Sequence, residues 1–90
     1  MGRKSTATKL LEDNKNEETP DGVYLVLYDF IEKQPHHRFW SNLREIISMA
    51  GGERIQFSAY MGSHRGAKAV RELALMYGAD VRSFEAFELR

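Results

Sequence analysis

The stretch that most constrains this chain is Val23-Tyr24-Leu25-Val26-Leu27-Tyr28-Asp29-Phe30, in which seven of eight residues are apolar or aromatic and one is an acid. A run this short, rich in β-branched and aromatic residues, reads as a strand buried on both faces. Side chains alternate along a strand, so Val23, Leu25, Leu27 and Asp29 share one face and Tyr24, Val26, Tyr28 and Phe30 share the other. A carboxylate near the carboxyl end of such a strand is costly to bury unless it is paired, protonated or on a metal. Asp29 is therefore the chemical question the sequence poses.

Ninety residues make one domain with a small core. The formal net charge is zero, which argues neither for nor against nucleic acid, but the charge is uneven. From Arg38 to Arg71 six Arg or Lys stand against two acids, and His36, His37 and His64 flank or lie in that region. Solvated helix faces are the plain account of such a stretch. Cysteine is absent, which removes disulfides, thiolate zinc sites and cysteine nucleophiles and fits a reducing cytoplasm. No apolar run approaches the roughly 20 residues that span a bilayer, so no membrane partner is expected. The first residues lack the apolar core of a signal peptide, and the expected location is cytoplasmic.

Residues Met1 to Asp21 are polar and mixed in charge, with Leu10 and Leu11 the large apolar exceptions. They read as a flexible tail, with room for a short helical turn around the Leu pair. Pro20-Asp21-Gly22 closes the tail, and the folded domain is expected over residues 22–90. After the first strand, Pro35 suits a helix amino-terminal turn. Phe39, Trp40, Leu43, Ile46, Ile47 and Ala50 then follow at the spacing of one helix face, ended by Gly51-Gly52. Glu53 to Gly62 alternates as strand, either one bent strand or, as we favour, two short strands changing near Gln56 to Ser58. Ser63 caps a helix over His64 to Tyr77, closed by Gly78. Val81 to Leu89 is a last strand in which Phe84, Phe87 and Leu89 cannot share a face without a bulge. The order is βαββαβ, an α+β ferredoxin-like sandwich with an antiparallel sheet and two helices on one face. The other sheet face must find cover.

These residues resemble a known family. Val23 to Phe30 resembles the opening strand of the CRISPR-associated protein two family, which ends in Tyr-Asp and an apolar residue. Gly52-Glu53-Arg54-Ile55-Gln56-Phe57-Ser58-Ala59-Tyr60-Met61-Gly62 is similar to that family's middle segment, and Val81-Arg82-Ser83-Phe84 to its last core strand. The resemblance implies a homodimer whose open sheet faces stack on each other. It implies a place in CRISPR spacer adaptation as a bridge between integrase subunits. It also implies metal-dependent cleavage of RNA or DNA, with Asp29 as the catalytic magnesium ligand at the dimer cleft. A divergent member, or a relative outside a CRISPR locus such as the virulence-associated protein D ribonucleases, is the alternative.

Asp29 has a bland alternative, a strand-end acid capping the next loop. One carboxylate is a poor magnesium site, because the ion wants six oxygens and keeps several as water; two copies meeting across a dimer axis make a better one. Tyr28, Ser58 and His64 are auxiliary candidates, the first two to orient water or a phosphate oxygen, His64 (or His37) as general acid or base. Their plain readings are a core aromatic, a satisfied strand hydroxyl and surface histidines. Arg38, Arg54, Arg65 and Lys68 are the candidate phosphate contacts, giving salt-dependent and sequence-independent binding. Trp40, with Phe39, reads as core rather than as a base-stacking platform. The rival functions are a structural adaptor without chemistry and a regulatory ferredoxin-like domain, since this fold hosts many functions.

Overall fold

A computed structural model describes residues 4–13, 22–30 and 34–87 of the chain. Its elements are helix α1 (Thr6–Asp13), strand β1 (Val23–Asp29), helix α2 (His37–Ala50), strands β2 (Glu53–Gln56) and β3 (Ala59–Gly62), helix α3 (His64–Met76) and strand β4 (Asp80–Ala86). The sheet order is β2-β3-β1-β4, and every neighbouring pair is antiparallel. Strand β3 inserts between β1 and β2, which is the split βαβ arrangement of a ferredoxin-like fold. The middle segment is two strands joined at Phe57-Ser58.

Local chemistry sets the helix limits. The His36 ring nitrogen Nδ1 accepts from Arg38 N at 3.1 Å at the start of α2. Gly51, with φ of 79°, ends that helix in backbone geometry that L side chains resist. Ser63 Oγ accepts from Gly66 N at 3.2 Å at the start of α3, the expected amino cap.

Both helices lie on one side of the sheet. Val26, Tyr28 and Tyr60 from the strands pack with Phe39, Leu43 and Ile46 of α2 and Val70, Leu73 and Ala74 of α3, all buried. Burying each of the larger of these side chains is worth roughly 1.5–3 kcal/mol. Among the described residues nothing covers the opposite sheet face: Val23, Leu27 and Phe84 are 44%, 38% and 47% exposed. Burial of β1 on both faces therefore does not occur within one chain. Its face of Tyr24, Val26, Tyr28 and Phe30 meets the helices, and its face of Val23, Leu25, Leu27 and Asp29 is open.

Two further expectations are corrected. Within the expected flexible tail, the helical turn allowed around the Leu pair is a docked helix, α1 over Thr6–Asp13. Ala7, Leu10 and Leu11 recur at helical spacing and are buried with residues of α2 and α3. The docking is fixed by Ala7 N donating to Asn42 Oδ1 at 3.1 Å and by the Arg65 guanidinium donating to the Leu11 carbonyl at 3.3 and 3.4 Å. The rest of the expected tail, residues 1–3 and 14–21, lies outside the described residues. The last strand runs in unbroken register from Asp80 to Ala86. The bulge falls instead in β2, between Arg54 and Gln56; Leu89 lies outside the described residues.

Candidate functional site

Register decides what stands beside Asp29. On the open face Leu25 faces Met61 and Phe84, Leu27 faces Ala59 and Arg82, and Asp29 faces Asp80. The face is thus an apolar band that turns polar at the end of β1. There a groove of about 760 Å³ is lined by Leu27, Asp29, Gln56, Ser58, Asp80 and Arg82. Asp29 and Asp80 are both exposed, so the cost at this position is not burial. It is like charge: two carboxylates directly opposite across an antiparallel pair destabilise it. Among the described residues neither acid has an ion-pair partner. Such a pair attracts a cation.

Asp80 and Arg82 were not singled out from sequence. The signal that finds them is pairing register, which no local spacing reveals.

The auxiliary candidates divide between the two sides of the sheet. Ser58 lines the groove, and its carbonyl accepts from Tyr28 N at 3.0 Å, which ties the hairpin turn to the end of β1. The Tyr28 side chain points the other way. It is 1% exposed among the rings of Phe30, Phe39 and Trp40, and among the described residues its hydroxyl has no hydrogen-bond partner. Burial pushes the phenol up to about 12, against a smaller opposing pull from the Arg54 charge. A phenol on the helix side cannot orient a phosphate beside Asp29. His64, on the first turn of α3, packs edge-on against Tyr24 at 5.0 Å, and its buried Nδ1 has no hydrogen-bond partner among the described residues. The sheet separates it from Asp29. His37 is exposed on the first turn of α2 and stacks beside His36 at 4.1 Å.

The four basic candidates do not form one surface. Arg38 is exposed on α2, and helical spacing puts it on the flank of Met49, which faces Thr8 of α1. Arg54 pairs with Tyr60 across β2 and β3, hence on the helix side, where its guanidinium lies 5.1 Å over the Trp40 ring and 6.0 Å from Phe57. Arg65 is half-buried against the α1 carbonyl. Lys68 lines a second groove, of about 320 Å³, between α3 and β4 with Tyr24, His64, Arg71, Ser83 and Glu85.

A magnesium ion would find only a partial donor set here. Asp29, Asp80, Gln56 and Ser58, all with side chains that carry hard oxygens, line one groove, and the ion characteristically keeps water in its remaining positions. Among the described residues no three His, Cys, Asp or Glu side chains gather closely enough to hold a metal, so one chain supplies a carboxylate pair rather than a full cage. Among the described residues no helix is long and apolar enough to cross a membrane.

The fold and the groove define a class: a ferredoxin-like α+β domain with one bare sheet face and a carboxylate pair at its rim. In comparisons with protein-family models, curated proteins and solved structures, the chain matched none.

Proposed function

We propose that this chain is a cytoplasmic, homodimeric nucleic-acid-binding protein of the CRISPR-associated protein two type, serving spacer adaptation beside an integrase subunit and cleaving phosphodiesters with magnesium at Asp29. One observation carries the reading: a bare apolar sheet face ends in the Asp29–Asp80 pair. A patch of that kind normally marks an interface, and a second copy related by a two-fold axis covers it with the same patch. Such a dimer doubles the number of carboxylates available to a metal. A magnesium ion held by Asp29 and Asp80 would supply charge to a phosphate oxygen and acidify its bound water. The chain's own residues do the positioning. Arg82 shares the groove with the acids and offers a bidentate contact to the phosphate being cut, while Gln56 and Ser58 offer neutral hydrogen bonds to water or sugar.

The test is cleavage of labelled RNA and DNA, with and without magnesium, by wild type and by Asp29→Asn purified identically. Asn keeps the shape and removes the charge. Cleavage falls by orders of magnitude in the variant and does not return at high pH, while binding persists through the arginines. Equal cleavage by both proteins refutes chemistry at Asp29. Binding without cleavage by either protein leaves a structural adaptor.

A further inference from the structure

The ring cluster at the α2–β2 edge is not used by the reading above. Phe57 sits in the hairpin turn at 68% exposure. Its ring lies 5.0 Å from the half-buried Trp40 ring at 54°, and Arg54 completes the group over both. A core account covers Trp40, which reaches Tyr28 and Phe39, but it does not cover Phe57. A turn position needs no aromatic, and this one leaves most of a large apolar ring in water. Charge says what fits it. Arg54 is on the cluster, and Arg44, four residues after Trp40, is exposed on the same side of α2, one helical turn along. Glu53 stands on the opposite sheet face, in register with Met61, and Glu45 falls on the far side of α2 by helical spacing. An aromatic surface bordered by arginines is complementary to a ligand that is planar and anionic at once.

We infer that Phe57, backed by Trp40 and Arg54, is a stacking site for an unpaired nucleobase, with Arg54 and Arg44 taking the neighbouring phosphates of a single strand. This rests on the nucleic-acid reading and narrows it, because bases in a duplex have their faces closed and cannot reach the Phe57 ring. Stacking on an aromatic side chain is tolerant of sequence, so the site selects strandedness rather than bases.

Trp40 is the chain's single tryptophan and reports directly on the cluster. The experiment titrates the full chain with a mixed-sequence single strand and with the matching duplex, following Trp40 emission together with the anisotropy of a labelled strand. Single strand changes Trp40 emission and duplex does not. Phe57→Ala weakens single-strand binding roughly tenfold and leaves the salt slope for that strand unaltered, since no charge is removed. Phe57→Tyr restores the affinity, and its circular dichroism shows that the hairpin is intact. Salt-dependent binding with unchanged Trp40 emission and no effect of Phe57→Ala overturns this inference alone. Absence of binding by any strand at low salt overturns it together with the proposed function. A Trp40 emission that changes on dilution of the protein alone assigns the cluster to contact between copies, and overturns it too.

Discussion

Gly66→Ala should destabilise this protein although it removes a glycine from a helix. In an ordinary helix interior the change gains up to about 1 kcal/mol. Gly66 lies three residues into α3, and a Cβ there would run into the Tyr60 hydroxyl, with Tyr60 Cζ at 3.3 Å and Ser63 Oγ at 3.5 Å. Tyr60 cannot retreat. Its side chain is fully buried, its hydroxyl donates to the Gly51 carbonyl at 2.8 Å, and Gly52 and Gly62 close on the same end of the ring. A Cβ on either of those would come within 2.6 Å and 2.8 Å of Tyr60 Cζ. Three glycines thus form the niche that one phenol fills, at the points where α2 gives way to β2 and β3 to α3.

Overpacking of this kind costs roughly 1–3 kcal/mol, which meets or exceeds the helix gain and leaves a net loss of up to about 2 kcal/mol. In a domain of this size each kcal/mol moves Tm by about 4–8 °C. The control is Tyr60→Phe, which gives up one hydrogen bond at a cost of about 0.5–1.5 kcal/mol. That cost falls toward the low end because Gly51 is exposed and its carbonyl is free to take water. With the hydroxyl gone, the nearest atom to the new Cβ is Cζ at 3.3 Å, which a small shift relieves. Gly66→Ala in the Tyr60→Phe background should then be neutral or stabilising. Urea titrations of wild type, both single variants and the double variant close the cycle, with an expected coupling of roughly 1–3 kcal/mol. A stabilising Gly66→Ala in the presence of Tyr60, or additive effects, would refute the niche.

Other outcomes follow from the same structure. Leu27→Glu places a charge in the middle of the bare sheet face and should convert a dimer to a folded monomer by sedimentation; a wild type that is already monomeric at micromolar concentration would remove the interface. The Tyr28 phenol is pushed up to about 12 and that of Tyr60 is also raised, both by burial. Because the folded state holds the protonated form, stability is full below the ordinary phenol value near 10 and falls as pH climbs from there toward 12. Tyr28 alone accounts for roughly 2–3 kcal/mol of that fall, seen as phenolate absorbance that rises together with loss of circular dichroism. Reversible ionisation of all four tyrosines with the fold intact would contradict it. Leu11 is 2% exposed, so Leu11→Ala should cost about 2 kcal/mol or more in urea titration, and an unchanged midpoint would mean that α1 does not belong to the cooperative unit.

What could be read from sequence was periodicity, and what could not was pairing. The alternation of β1 sorted its residues correctly into two faces, but which face stays bare depends on where the helices fall. The apolar and aromatic run Val23 to Phe30 looked buried throughout because its open-face members Val23, Leu25 and Leu27 are as apolar as its core members. A helical turn around Leu10 and Leu11 is legible in the sequence but its docking is not: three apolar residues in eight do not order a free segment, and short helices gain most of their stability from tertiary packing, here the surface that α2 and α3 present. The basic run from Arg38 to Arg71 is close in sequence but not in space: folding sends Arg54 to the hairpin edge, Arg65 to the end of α1 and Lys68 to the groove beside β4. Asp80 carried no local signal at all, since only the β1–β4 register places it opposite Asp29. The niche around Tyr60 is invisible for the same reason: Gly51-Gly52 and Gly78 read as caps, whereas Gly66 and Gly62 make sense only beside a side chain from another element.

The bulge in β2 joins these observations. Arg54 and Gln56 are two residues apart and in a regular strand would point to the same face. The register shift between them breaks that rule. Arg54, opposite Tyr60, goes to the helix side with Trp40, and Gln56, opposite Ala59, goes to the open side with Asp29 and Asp80. One inserted residue, Ile55, therefore lets a four-residue strand serve two surfaces, one with aromatic rings and a guanidinium, the other with an amide and a carboxylate pair. Bulges concentrate at sheet edges and beside functional sites, where they re-aim a side chain, and β2 is an edge strand. A hairpin built for stability alone has no reason to hold Arg54, Ile55, Gln56 and Phe57 all exposed. The exposure becomes intelligible if a single strand of nucleic acid passes this edge, with a base on Phe57 and its phosphates on Arg54.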